Sequence, residues 1–198
     1  MELRLTRQTT SLVVMDVQDR LVAAMPDEAR SMAVDNVIRL VQGARILDLP
    51  TIATEQYPAG LGSTIESVDA ALREGNPEGS PIDKLEFNAC DDLRFAEAIE
   101  SASRTQSMDG SDLAPALVLC GMETHICIYQ TARALCARGY RLHVPHDATC
   151  CRRPADHEVA LRLLEHAGAI VTSTETVLFD LLGKAGADDF KAINKLVR

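Results

Sequence analysis

The chain has no tryptophan, and aromatic residues of every kind make up 4% of it, so no large aromatic cluster anchors its interior. It is also short of positive charge. Twenty Lys and Arg stand against 29 Asp and Glu, a net charge of −9. Phosphate backbones are bound by clustered Lys and Arg, so we expect no nucleic-acid partner. No apolar run approaches the ~20 residues that span a bilayer, and we expect no membrane association. The first ten residues, MELRLTRQTT, lack an apolar stretch, so we expect no secretory signal there. The Gly-x-Gly-x-x-Gly fingerprint, the P-loop, Cys-x-x-Cys and His-Glu-x-x-His are all missing, and no cofactor is expected. His143 and His146 are three apart on a strand and its exit, which points them to opposite faces. We expect no metal.

What the chain does have is apolar mass, 46% of 198 residues, enough for one domain over 1–198 with a sizeable core. Its six cysteines, with no secretory signal, point to a reducing compartment. We expect free thiols and a cytoplasmic protein.

Taken in order, apolar runs alternate with helical periodicity. Residues 11–17 (SLVVMDV) read as a buried strand that ends at Asp16. A carboxylate there is costly unless paired or exposed, though it could equally cap the next turn. Residues 27–48 carry a helical pattern, and 51–53 a short strand. Residues 55–63 (EQYPAGLGS) form a turn-rich loop that should hang over the carboxyl edge of a sheet. A short helix at 65–72 and a surface loop at 75–81 follow. Lys84 lies in an alternating segment, 82–89, where a lysine is ordinarily a solvated surface residue. A helix at 92–103 leads through a loop, 106–112, to the strand at 116–120.

That strand runs to Gly121, after which helical spacing resumes with Thr124 as a plausible N-cap and Ile128, Ala132, Leu135 and Cys136 on one face. Cys127 then sits in the first turn of a helix that starts where a strand ends, where free N–H groups favour a thiolate. By position alone it could also be a small buried hydrophobe. Gly139 suits a helix end, 140–144 a further strand, and Asp147 the carboxyl edge. Cys150 and Cys151 read as loop residues. A Pro154-led helix to about Ala167, a last strand at 168–171 and a helix capped at Ser173 complete the pattern. Such alternation predicts a three-layer α/β/α fold with a six-stranded parallel sheet in the order 3-2-1-4-5-6.

The phrases MDVQD (15–19), TEQYPAGLGST (54–64), GMETHICIYQTA (121–132) and STETVLF (173–179) together resemble the isochorismatase-like cysteine hydrolases. The likeness spans roughly residues 10–182, and its Gly-x-x-Thr-x-x-Cys phrase is its specific part. The resemblance implies a triad of Asp16, Lys84 and Cys127. Cys127 is then the nucleophile, Asp16 the base that moves its proton, and Lys84 the cation that pairs with the carboxylate and favours the thiolate. It also implies a cis Met122–Glu123 peptide and an oxyanion hole from the backbone N–H groups of Glu123 and Cys127. Gln18, Tyr57 and Phe87 are the candidate pocket residues. Nicotinamidases of the superfamily hold a metal through an Asp-x-His phrase after the second strand. Here that place reads Glu55–Gln56–Tyr57–Pro58, so nicotinamidase is disfavoured.

The resemblance therefore implies hydrolysis of a small amide-like C–N bond through a thioester, with a small molecule as partner and a homo-oligomeric assembly. Isochorismatase-type vinyl-ether hydrolysis, which needs no thiol, is the alternative reaction. A catalytically idle binding or scaffold protein of the same fold is the alternative class.

Overall fold

The computed structural model describes residues 3–76, 79–107 and 114–198. Parts of the loops expected at 75–81 and 106–112 (residues 77–78 and 108–112) lie outside the described residues. The chain alternates strand and helix almost throughout: β1 (Thr10–Met15), α1 (Asp19–Ala23), α2 (Asp27–Ile46), β2 (Thr51–Gln56), α3 (Pro58–Leu61), α4 (Glu66–Gly75), β3 (Ile82–Lys84) and α5 (Leu93–Ser107). Then come β4 (Ala116–Met122), α6 (Tyr129–Ala137), β5 (Arg141–Pro145), β6 (Thr149–Cys150), α7 (Pro154–His166), β7 (Ile170–Thr172), α8 (Thr174–Leu182) and α9 (Phe190–Leu196). The strands pair in parallel in the order β3-β2-β1-β4-β5-β7, the expected three-layer arrangement.

β1 and β4 are buried along their whole lengths. Strands covered on both faces read as continuous apolar runs, with alternate residues serving opposite sides. Leu12 and Val14 with Val118 and Cys120 pack against α2, α8 and α9 through Val37, Leu40, Leu178 and Ile193. Val13 and Met15 with Leu117 and Leu119 pack the other way, onto Phe95 and Ile99 of α5, Leu135 of α6 and Leu164 of α7.

The sheet departs from six strands in one place. β5 runs beside β4 only as far as His143, opposite Val118. It ends at Pro145, which has no N–H to continue a ladder. The chain then crosses in a short 3₁₀ turn (His146–Ala148) and lays β6 along the end of β4, Gly121 opposite Thr149 and Met122 opposite Cys150. Cys150 and Cys151 are therefore not exposed loop residues. Each is 2% exposed, because this strand seals the carboxyl end of β4.

Gly121 sets how closely β1 and β4 approach there. Its φ is +115°, and a Cβ would lie 1.9 Å from the Met15 carbonyl oxygen. Only glycine fits. One residue beyond Met15, the backbone of Asp16 takes a left-handed turn (φ 54°), a conformation that costs a non-glycine residue about 1 kcal/mol or more. It turns the Asp16 side chain off the strand at the junction of β1 and β4, where strand order reverses and α/β sheets open a crevice.

Candidate active site

The register of three adjacent strands assembles the acidic half of the site. Met15 lies opposite Thr54, and Gln56 opposite Lys84, so the carboxyl ends of β1, β2 and β3 come level. Lys84 Nζ donates to Asp16 Oδ2 at 2.8 Å, to Gln56 Oε1 at 2.7 Å and to the Glu86 carbonyl at 3.4 Å. Thr54 Oγ1 donates to Asp16 Oδ1 at 2.7 Å. Both charged side chains are 0% exposed. An ion pair without water survives only with its remaining valences satisfied, and here the ammonium has an acceptor for each of its three protons.

Cys127 arrives from the other side. After β4 the chain turns through Thr124–Ile128, a π-type turn in which Ile128 N–H reaches back to the Glu123 carbonyl at 3.3 Å. Such wide turns recur at functional sites. Thr124 is not the cap the sequence suggested, since its hydroxyl is bonded to His157 Nδ1 at 2.9 Å. The Cys127 thiol donates to Gln56 Oε1 at 3.8 Å. One amide oxygen thus links Lys84 and Cys127.

The electrostatics differ from the sequence-based expectation of a favoured thiolate. Burial pushes the Cys127 thiol up to about 12, the Asp16 charge pushes the same way, and Lys84 opposes both. At 4% exposure the desolvation of a sulfur anion outweighs what a helix start and one lysine return. Burial therefore favours the protonated form of the sulfur, which keeps its hydrogen bond to Gln56.

Gln18 is fully buried and spends its amide on backbone. Its Nε2 donates to the carbonyls of Gln56 and Gly62, and its Oε1 accepts from Gln56 N–H. It braces the strand that carries Gln56. Tyr57 and Phe87 are 53% and 54% exposed, next to Gln56 and three residues from Lys84 respectively. The Met122–Glu123 peptide is cis, and the Glu123 carboxylate is held by Arg152. Sequence reasoning missed Thr54 and Gln56, because it ended β2 at Ala53. The signal was a polar run, Thr-Glu-Gln, with no turn residue until Pro58.

Where nicotinamidases carry metal ligands, Glu55 Oε1 accepts from Thr64 N–H and Oγ1, at 2.6 and 2.7 Å. Among the described residues no group of three or more His, Cys, Asp or Glu could hold a metal ion. A 570 Å³ cavity at the amino end of β2 and an open 680 Å³ hollow against α8 include none of Asp16, Lys84 or Cys127 in their linings.

Residues 10–176 match the isochorismatase domain. A secreted isochorismatase effector of Phytophthora sojae is 30% identical over 98% of this chain and 87% of its own length. Among solved structures, the MAR1 ribonuclease of Caenorhabditis elegans superposes with a TM-score of 0.84 at 31% identity, covering 98% of this chain and 92% of that one. The YcaC gene product of Escherichia coli, described as an octameric hydrolase of unknown specificity, has a TM-score of 0.84 at 21% identity, covering 99% and 90%. By the match over residues 10–176 and the 30%-identical relative covered along most of its length, the chain belongs to the isochorismatase domain family of hydrolases.

Proposed function

We propose that the chain is a cysteine hydrolase that cleaves small amide-like C–N bonds through a Cys127 thioester. The observation that carries this reading is the buried chain of contacts from Asp16 through Lys84 and Gln56 to Cys127. The thiol passes its proton to Asp16 as the sulfur attacks the carbonyl carbon. The N–H groups of Glu123 and Cys127 receive the developing oxyanion. The C–N bond then breaks, Asp16 returns the proton to the leaving amine, and the acyl group stays on sulfur. A water, deprotonated by Asp16, then attacks the thioester carbon; the C–S bond breaks, the carboxylic acid leaves, and Asp16 returns the proton to the sulfur to restore the thiol. A thiol held protonated at rest suits this order, since ionisation is coupled to attack and an idle thiolate is not exposed to oxidants. Tyr57 and Phe87 form the rim of the substrate pocket, and no metal or cofactor enters the reaction.

The vinyl-ether reaction would leave Cys127 without a role, and an idle scaffold would leave a buried ion pair without one. The MAR1 relative is a ribonuclease by name. A net charge of −9 gives little basis for holding a polyanion. All six thiols are free, which fits a cytoplasmic protein, and the octameric relative supports a homo-oligomer.

Product analysis with a panel of small primary amides, isochorismate and a single-stranded RNA, on wild type and Cys127→Ala, separates these readings. The expected result is amide hydrolysis by wild type alone. Turnover of isochorismate or RNA that survives Cys127→Ala would overturn the proposal.

A further inference from the structure

Glu123, which precedes the nucleophile turn, and Thr124 and His125, its first two residues, are each bonded to one short segment, 151–157. The Glu123 carboxylate accepts from Arg152 N–H at 2.9 Å, and Arg152 Nε lies 3.0 and 3.1 Å from its two oxygens. Thr124 Oγ1 meets His157 Nδ1 at 2.9 Å, and His125 Nδ1 meets Cys151 Sγ at 3.1 Å. The turn and the segment come from different parts of the fold: one follows β4, the other joins β6 to the first turns of α7. β6 itself is tied to the end of β4, so the segment is anchored to the sheet beneath the turn it grips. Glu123 is the hub. Its carbonyl accepts from Ile126 and Ile128 N–H and so closes the turn, while its side chain is 3% exposed and held from outside by a half-exposed arginine.

We propose that residues 151–157 form a clamp that sets where the turn presents Cys127, with Arg152 and His157 as positioning residues for the reaction of that thiol. The inference rests on Cys127 being the nucleophile. The clamp explains how a short turn with π-type bonding holds a sulfur in register with Gln56. A thiol displaced by a fraction of an ångström keeps its burial and loses its line of attack. The effect should therefore fall on the chemical step, with little on binding or stability.

The experiment uses acrylamide as an amide-shaped electrophile, with peptide mapping of the adduct and separate determination of the saturation constant and the limiting rate. Wild type is compared with Arg152→Ala, His157→Ala and Arg152→Lys, with thermal melting recorded for each. The expected result is a limiting rate at Cys127 lowered about tenfold in both alanine variants, with the saturation constant within about twofold. Arg152→Lys, which keeps a cation for Glu123, should recover most of the rate. Unchanged limiting rates, or losses that track a lowered melting temperature and are not rescued by lysine, overturn the clamp. If Arg152→Ala does not fold, Thr124→Val removes the His157 bond from the turn side and is read in the same way. A wild type in which Cys127 is not labelled at all overturns the parent proposal. Labelling of Cys127 that the variants leave unaltered overturns only the clamp.

Discussion

Gln56 is the residue on which most of the site converges, although the sequence offered no reason to single it out. Its side-chain oxygen accepts from Lys84 and Cys127, and its nitrogen donates to the Leu85 carbonyl at 2.7 Å. Gln56→Leu removes an acceptor from a buried ammonium and should cost about 1–3 kcal/mol of stability in chemical denaturation, with slower alkylation of Cys127. Asp16→Asn leaves Lys84 buried without its counter-charge and should cost about 3–5 kcal/mol, of which adding Lys84→Met restores a substantial part. Failure of the double variant to recover would mean that the pair's burial is not what sets the cost. Among the thiols, Cys136 is the half-buried one and hence the control for exposure, whereas Cys150 and Cys151, which read as loop residues in the sequence, are buried. Helix-start reasoning about Cys127 missed the size of its burial, since which neighbours desolvate a residue is decided by segments far away in the chain.

At the scale of elements, Gly121 separates steric from conformational demand. Gly121→Ala drives a methyl into the Met15 carbonyl at the closest approach of β1 and β4, and should abolish soluble expression or cost over about 4 kcal/mol. Gly139 also has a positive φ, +87°, but nothing lies within 4 Å of a Cβ built there, so Gly139→Ala should cost only about 1–2 kcal/mol. Equal losses in the two variants would contradict this division. The elements legible in the sequence were those with a long pattern or a capping residue. The helix expected at 27–48 spans Asp27–Ile46, and Ser173 caps α8 by accepting from Thr176 N–H at 3.3 Å. The elements that escaped are short and defined by their partners. β6 has two residues, too few to show a period, and exists because the end of β4 was left unpaired by β5. The π-type turn rests on which carbonyl an N–H finds, and residue types do not encode that choice.

For the molecule as a whole, buried titratable groups bound the pH range of stability from both sides. Burial, aided by the Arg141 charge, pushes His143 down to about 4. A depressed histidine contributes stability that is complete above its unfolded value of about 6.5 and is lost as pH falls toward 4. Urea midpoints should fall through that window, and His143→Leu should flatten the fall. On the alkaline side Cys90 is raised to about 11 and Cys127 and Cys150 to about 12, all by burial first. Raised thiols contribute fully below about pH 8.5, and each loses up to about 1.4 kcal/mol per unit as pH rises beyond that. A Cys90→Ala, Cys150→Ala double variant should soften this limb, and an unchanged slope would contradict the assignment. Light scattering should find an assembly larger than a monomer at micromolar concentration, and a monomer there would count against the homo-oligomer.

The most direct test of the account is trapping of the covalent intermediate. Wild type, Asp16→Asn and Cys127→Ala are mixed with a turned-over amide, quenched in acid, and analysed by intact-mass and peptide mass spectrometry. One acyl group per chain is expected in wild type, on the peptide containing Cys127, and none in either variant. Sustained turnover with no acyl group on Cys127, or turnover by Cys127→Ala at the wild-type rate, would contradict it.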